Sequence, residues 1–85
     1  SSAWYLRLEA DDKPGVMASI TQRLSDHGIG IESLIQKPKS AKLSRVPVII
    51  LTDEASTHSV VEAVAAIEAL ATVEGSVTSL RVENF

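Results

Sequence analysis

The stretch Trp4-Tyr5-Leu6-Arg7-Leu8-Glu9-Ala10-Asp11-Asp12-Lys13-Pro14-Gly15 decides the fold, because a strand pattern in it runs directly into a tight turn. Apolar and polar side chains alternate from Trp4 to Ala10, a period of two that predicts a strand with one buried face. Beyond Gly15, apolar residues recur at helical spacing until Gly28, a residue type that commonly ends helices. The sequence therefore predicts a strand and then a helix over about Val16 to Asp26.

A second strand pattern follows this helix. It runs from Ile29 to Lys37, and its alternation predicts that Ile29, Ile31 and Ile35 share one face. The segment Pro38 to Arg45 is polar and basic, which indicates a flexible connection to the next element.

The run Val46 to Thr52 is apolar on both faces, as in a strand inside a sheet or one covered on its second side. Pro47 cannot donate to a ladder, so it should lie near the start of this strand. A second amphipathic helix follows, with apolar positions at Val60 or Val61, Val64, Ile67 and Leu70 or Ala71.

Two serines compete to cap this second helix. They are Ser56 and Ser59, and Ser59 forms a capping-box pattern with Glu62. Gly75 should then break the chain before a last strand over Val77 to Glu83.

The predicted order βαββαβ makes this an α+β protein with a ferredoxin-like sandwich. Right-handed crossovers place both helices on one face of a four-stranded antiparallel sheet of order 4-1-3-2. The second strand then lies at an edge, and Ile29 to Ile35 offers no proline and little charge to block pairing. We therefore expect a homodimer formed through the second-strand edge.

Composition argues against several classes of function. The 85 residues are 45% hydrophobic and 22% charged with a net charge of −3, so they lack the positive field that nucleic acids require. No Cys is present, and no apolar run could span a bilayer. We expect a cytoplasmic protein with no nucleic-acid or membrane partner. Because the chain begins Ser1-Ser2-Ala3 and enters a strand at once, we expect one domain of a longer protein.

No group of side chains has the spacing of a catalytic or metal site. His27 and His58 lie apart from any second ligand, so surface or helix-capping roles are expected. Gly28-Ile29-Gly30 follows a helix and lacks the third glycine of a dinucleotide loop. The sequence predicts no catalytic residue, metal or cofactor here. Lys37, Lys39, Lys42 and Arg45 form a basic loop, but the third strand has no aromatic residue on which RNA bases stack, so RNA binding is a remote alternative.

The turn Asp12-Lys13-Pro14-Gly15 is the segment best suited to hold a ligand. It leads into a helix N-terminus, whose first N–H groups lack partners within the helix and attract a carboxylate. Gly15 permits close approach to the backbone, and Asp12 or Asp11 can face an ammonium group, so an α-amino acid matches both charges. On spacing alone, a plain turn that complements the helix dipole is favoured.

The segments around this turn resemble the ACT domain family, whose members bind amino acids and regulate metabolic enzymes. The resemblance rests on Asp12-Lys13-Pro14-Gly15-Val16 and on His27-Gly28-Ile29-Gly30-Ile31 after the helix. More narrowly, the chain from about Trp4 to Val82 looks like the C-terminal ACT domain of bacterial homoserine dehydrogenase. The matching runs are Tyr5-Leu6-Arg7-Leu8, Ile31-Glu32-Ser33-Leu34-Ile35-Gln36-Lys37 and Val46-Pro47-Val48-Ile49-Ile50-Leu51-Thr52.

The resemblance implies a ligand site between the turn of one subunit and the start of the second strand of its neighbour. In this sequence the site positions are Asp12, Pro14, Gly15, Val16, Ile29, Gly30 and Ile31. Threonine is the implied ligand, with Gln36 or Ser33 as a polar partner for its hydroxyl. Some amino-acid-sensing relatives carry Asn in place of Asp12 and Gly30, so contacts through Gly30 would be made by its backbone.

We therefore expect residues 1–85 to be a single ACT-type regulatory domain of homoserine dehydrogenase that senses threonine in aspartate-family amino-acid biosynthesis. The resemblance implies NAD(P) and a catalytic domain for the parent enzyme. The alternative is an assembly module that joins parent subunits through the strand edge without a ligand.

Overall fold

The computed structural model describes residues 2–36 and 45–82. Its elements follow the predicted order βαββαβ. Their bounds are β1 Ala3–Asp11, α1 Val16–Asp26, β2 Ile31–Gln36, β3 Arg45–Thr52, α2 Thr57–Glu68 and β4 Val73–Val82. Of the basic loop, only Arg45 is among the described residues, and it begins β3 rather than ending a flexible connection.

The four strands form one antiparallel sheet in the order β2-β3-β1-β4, which confirms the predicted order 4-1-3-2. β1 and β3 lie at the centre, where Tyr5 pairs with Leu51 and Ala10 pairs with Val46. Pro47 lies near the start of β3, as predicted, so its missing N–H costs little of the ladder.

Both helices cover one face of the sheet, here called the inner face. Every second residue of β1 and β3 is buried there with the apolar stripes of the helices. Burial of each large aliphatic side chain contributes about 1.5–3 kcal/mol, so this layer is the main source of stability. Its fully buried members include Leu6, Ile20, Leu24, Val48, Ile50 and Ile67.

A β-bulge interrupts the edge strand β2. Ile31 pairs with Thr52 while Ser33 pairs with Leu51, so β2 holds one residue more than β3 across this step. An extra residue shifts the alternation of inward and outward side chains by one position.

Because of this bulge, the side chains of the second strand that face the core differ from those predicted. Ile29 is buried but precedes β2, and Ile31 and Leu34 pack against the core. Ile35 is 50% exposed on the opposite face. The prediction that Ile29, Ile31 and Ile35 share one face is wrong, because a strict period of two does not continue through a bulge.

The last strand is longer than predicted. β4 begins at Val73 rather than Val77, and Gly75 lies inside it with φ +64°. The register between β1 and β4 shifts in this region, between Arg7 and Glu9. Gly75 therefore lies at an irregular part of β4 and does not end it, since glycine adopts positive φ at no steric cost.

The N-cap of α2 is Ser56. Its side chain accepts a hydrogen bond from the Ser59 N–H at 3.2 Å, which satisfies one of the free donors at the helix start. Ser59 consequently lies inside the helix, and the predicted capping box of Ser59 with Glu62 is wrong.

Thr52 is a buried polar side chain that joins the end of β3 to the start of β1. Its Oγ1 accepts a hydrogen bond from the Trp4 N–H at 3.0 Å and donates to the Asp53 carbonyl at 2.8 Å. The Trp4 indole donates to the Ala55 carbonyl at 3.2 Å, and the Arg81 guanidinium lies 5.6 Å from the ring centroid. These contacts fix the segment that follows β3 against β1.

Replacing Thr52 by Val keeps the shape of the side chain but leaves the Trp4 N–H without its acceptor. We expect the free energy of unfolding to fall by about 1–3 kcal/mol, measured by urea denaturation with Trp4 fluorescence. Thr78→Val, at an exposed position of β4, is the control and should change it by less than about 0.5 kcal/mol. Equal stabilities of the two variants would contradict the role assigned to Thr52.

Candidate functional site

The turn between β1 and α1 is shaped by Gly15, which is the N-cap residue of the helix. Its φ of +83° is left-handed, a conformation that side-chain-bearing residues adopt at a cost of about 1–2 kcal/mol. The Val16 N–H donates to the Lys13 carbonyl at 3.3 Å, and the Ser19 N–H donates to the Gly15 carbonyl at 3.0 Å. The turn is therefore a defined structure that opens directly into the first helical turn.

The N-terminus of α1 has no side-chain cap. Within the described residues, the N–H groups of Met17 and Ala18 have no backbone acceptor outside the helix, whereas the start of α2 is capped by Ser56. Unpaired donors at a helix start form a favourable place for an anion, since the helix dipole adds a partial positive charge. The α1 end is thus suited to a carboxylate.

Ion pairs connect the end of β1 to its neighbouring strands directly before the turn. Asp11 ends β1, and its Oδ1 lies 3.1 Å from Arg45 Nε as an ion pair that lacks hydrogen-bond geometry. Arg45 also reaches Glu74 of β4 at 2.9 Å, and Lys13 approaches Asp11 at 4.0 Å. Three strands are therefore tied together immediately before Asp12. Asp11 is partly buried and is engaged with Arg45.

The second group of predicted site residues, Ile29, Gly30 and Ile31, follows the C-terminus of α1. The Gly28 N–H donates to Ser25 and the Ile29 N–H donates to Leu24, both at 2.9 Å, which is a Schellman motif. Gly28 takes the left-handed conformation at φ +73°. His27 Nδ1 donates to the Arg23 carbonyl at 3.0 Å, which confirms its predicted capping role.

Gly30 lies against Asp53, a residue that the sequence did not single out. The Asp53 N–H donates to the Gly30 carbonyl at 2.9 Å. A Cβ on Gly30 would collide with the Asp53 carboxylate, so this carboxylate occupies the space that a side chain at position 30 would need. No local signal could have revealed Asp53, because its proximity to Gly30 arises from the pairing of β2 with β3.

The two groups of predicted site residues lie at opposite ends of the sheet within one chain. The turn follows Asp11, which pairs with Arg45 at one end, whereas Ile31 pairs with Thr52 at the other. The nine residues of β1 separate these ends by roughly 25–30 Å at about 3.3 Å per residue. A single chain therefore does not bring Gly15 and Gly30 to one ligand.

The two residues considered for the ligand hydroxyl face different sides of the sheet. Gln36 pairs with Val48, whose side chain is buried on the inner face, and it lies at the end of β2 nearer the turn. Ser33 pairs with Leu51 on the other face. Paired residues share a face, so Gln36 is the one on the side of the helices.

Other parts of the described chain offer no competing centre. Within residues 2–36 and 45–82, no group of three potential metal ligands occurs and no helix is long and apolar enough to cross a membrane. His58 is exposed and pairs with Glu62 at 3.2 Å, a surface contact. A shallow polar cavity of about 220 Å³ lies where β1 and β4 shift register, and it contains none of the predicted site residues.

Comparison with known proteins finds similar sequences and similar structures. A family model of the ACT domain matches residues 4–69. Homoserine dehydrogenase of Methylobacillus glycogenes is 47% identical over 84 residues, which are 99% of this chain and 20% of that protein. The crystal structure of a homoserine dehydrogenase from Thiobacillus denitrificans has a TM-score of 0.87 at 41% identity, over 98% of this chain and 18% of that one.

A more distant structure extends the comparison. The ligand-free regulatory subunit of aspartate kinase from Thermus thermophilus has a TM-score of 0.69 at 25% identity, over 93% of this chain and 50% of that chain. The present chain spans about a fifth of the length of the homoserine dehydrogenases it matches. Because the family model covers both helices and the first three strands, the chain belongs to the ACT domain family, as its turn and second-strand sequence predicted.

Proposed function

We propose that this chain is the amino-acid-sensing regulatory domain of a homoserine dehydrogenase and that its ligand is threonine. The observation that carries the proposal is the N-terminus of α1 at Gly15, which has no side-chain cap. Such a helix start suits a carboxylate, and it lies at the turn where the family resemblance leads us to expect the ligand. The homoserine dehydrogenase relatives support the parent enzyme. A catalytic domain outside these residues would hold NAD(P) and perform the oxidoreductase chemistry.

A two-fold dimer through β2 would complete the site. Pairing of the two β2 edges around a two-fold axis makes the strands antiparallel, as in an extended sheet. This two-fold axis would place the Ile29-Gly30-Ile31 segment of one chain at the same end of the extended sheet as Gly15 of the other chain. This arrangement accounts for two half-sites that lie far apart within one chain, and Ser33–Gln36 is the regular part of the edge after the bulge.

Charge and position suggest a role for each group. The α1 N-terminus would bind the carboxylate of threonine, and Asp12 would face its ammonium group. Gln36 projects on the helix side near the turn, so it is better placed than Ser33 for the hydroxyl. Binding would alter the parent enzyme only by the difference in affinity between its two states.

A ligand-free assembly module is the second candidate. The exposed β2 edge favours it, because an edge strand without proline can join subunits by pairing alone. The two candidates differ in one measurable property, which is heat released on addition of an amino acid.

Asp12→Ala tests the sensing function by calorimetry with threonine, isoleucine, serine and lysine. We expect threonine to bind the unmodified dimer, and Asp12→Ala to weaken it about 10- to 100-fold, as for loss of a charge-assisted hydrogen bond of about 1.5–3 kcal/mol. Glu62→Ala, which removes an exposed carboxylate from α2, is the control and should bind normally. Absence of heat with all four amino acids on a confirmed dimer would leave the assembly module as the function.

Ser33→Pro tests whether the β2 edge forms the dimer. A proline removes one N–H and inserts a ring into the edge, so we expect the mass of the assembly to halve in multi-angle light scattering and threonine binding to be lost. Ser79→Pro makes the same change on β4, the other edge strand, and should preserve the mass. An unchanged mass in Ser33→Pro, or halving in Ser79→Pro alone, would move the dimer interface away from β2.

A further inference from the structure

Gly30 is a glycine for a different reason from the other three glycines of this chain. Gly15, Gly28 and Gly75 have positive φ, and a Cβ added to any of them would meet no atom within 4 Å. Gly30 does not have positive φ, so its backbone conformation does not require a glycine. A Cβ on Gly30 would instead collide with Asp53 Oδ2 and lie 3.3 Å from Asp53 Cγ. Position 30 therefore needs a glycine to make room for the Asp53 carboxylate.

The Asp53 carboxylate is fixed in place yet open to solvent. The Asp53 N–H donates to the Gly30 carbonyl at 2.9 Å, and the Asp53 carbonyl accepts from Thr52 Oγ1 at 2.8 Å. Asp53 is exposed, and within the described part of the chain its carboxylate forms no ion pair or hydrogen bond. A carboxylate that is held by its backbone and has no partner in its own chain is a preorganised acceptor for a cation.

We propose that Asp53 is a ligand-binding residue of this domain and that its carboxylate accepts a hydrogen bond from the ammonium group of the amino acid. The proposal rests on the amino-acid site and the β2-edge dimer proposed above. The Ile29-Gly30-Ile31 segment has no polar side chain of its own. Asp53 supplies this half of the site with a charge, from the space that a side chain at position 30 would otherwise occupy.

The charges on the two sides of the dimer are complementary to an α-amino acid. In the β2-edge dimer, Asp53 of one chain lies with Gly30 at the sheet end where the other chain has its Gly15 turn. That turn offers the α1 N-terminus, which has no side-chain cap, and Lys13, whose side chain is 70% exposed. The ligand carboxylate then lies at α1 of one chain, and its ammonium group lies at Asp53 of the other.

This arrangement determines which class of ligand the site accepts. An ammonium group has three N–H donors, so Asp12 of one chain and Asp53 of the other both accept from it. An acid without the ammonium group leaves these two carboxylates near a third one with no cation between them, which is unfavourable. The site therefore selects α-amino acids over acids of the same shape that lack the amino group.

Asp53→Asn in the full 85-residue chain tests this role with two probes, threonine and 3-hydroxybutanoate, which is threonine without its amino group. We expect the dissociation constant of threonine to rise about 10-fold or more in calorimetry, because a charge-assisted hydrogen bond is lost. 3-Hydroxybutanoate should bind Asp53→Asn at least as well as the unmodified chain in an NMR titration. Glu54→Gln neutralises the adjacent exposed carboxylate and is the matched control, which should bind threonine normally.

Moving the carboxylate to the neighbouring strand tests the geometry. Gly30→Asp/Asp53→Ala removes the collision and puts a carboxylate into the same space from position 30, so it should restore most of the threonine affinity that Asp53→Ala loses. Gly30→Ala displaces the Asp53 carboxylate and should weaken threonine binding like Asp53→Asn. Thermal melting verifies that the variants fold.

Three results would overturn the role of Asp53 while leaving amino-acid sensing in place. They are full threonine affinity in Asp53→Asn, an equal loss of affinity for both probes, and no recovery in Gly30→Asp/Asp53→Ala. Absence of threonine binding to the unmodified dimer would overturn amino-acid sensing together with this role. Failure of this inference and failure of the proposed function are therefore different results.

Discussion

The position of β1 between β3 and β4 is the constraint on which the rest of this structure depends. Its inward side chains, from Trp4 to Ala10, are all buried, and its two ends define the two ends of the molecule. One end passes into the turn at Gly15, and the other is held to the segment after β3 by Thr52. Burial of the inner face thus positions the Gly15 turn and stabilises the fold by the same contacts.

This central strand also explains why the two groups of predicted site residues lie far apart within one chain. The strand is long enough to keep the start of α1 and the start of β2 at opposite ends of the sheet, and α1 together with residues 27–30 leads the chain from one end to the other. In the proposed β2-edge dimer, the two-fold axis would bring the start of β2 of one chain to the sheet end where the other chain has its Gly15 turn.

Much of the fold was predictable because its signals are local. The alternation in β1, the helical stripe that ends at Gly28 and the proline near the start of β3 depend on neighbouring residues, and the structure confirms them. The predictions for Ile35 and Gly75 were wrong because bulges are decided by pairing with another strand. Ser56 rather than Ser59 is the N-cap of α2. Hydrogen bonds of Trp4 to Thr52 and to the Ala55 carbonyl fix the chain directly before Ser56, so the helix begins there.

The sequence by itself determined the order of the elements, the turn at Gly15 and the family, since each follows from short runs of residues. Only the tertiary structure decided that Asp53 fills the space beside Gly30 and that Gln36 and Ser33 face opposite sides of the sheet. These properties depend on strand register, which brings together residues far apart in the chain. Strand register is set by the packing of the whole inner face, so it cannot be predicted from any local sequence pattern.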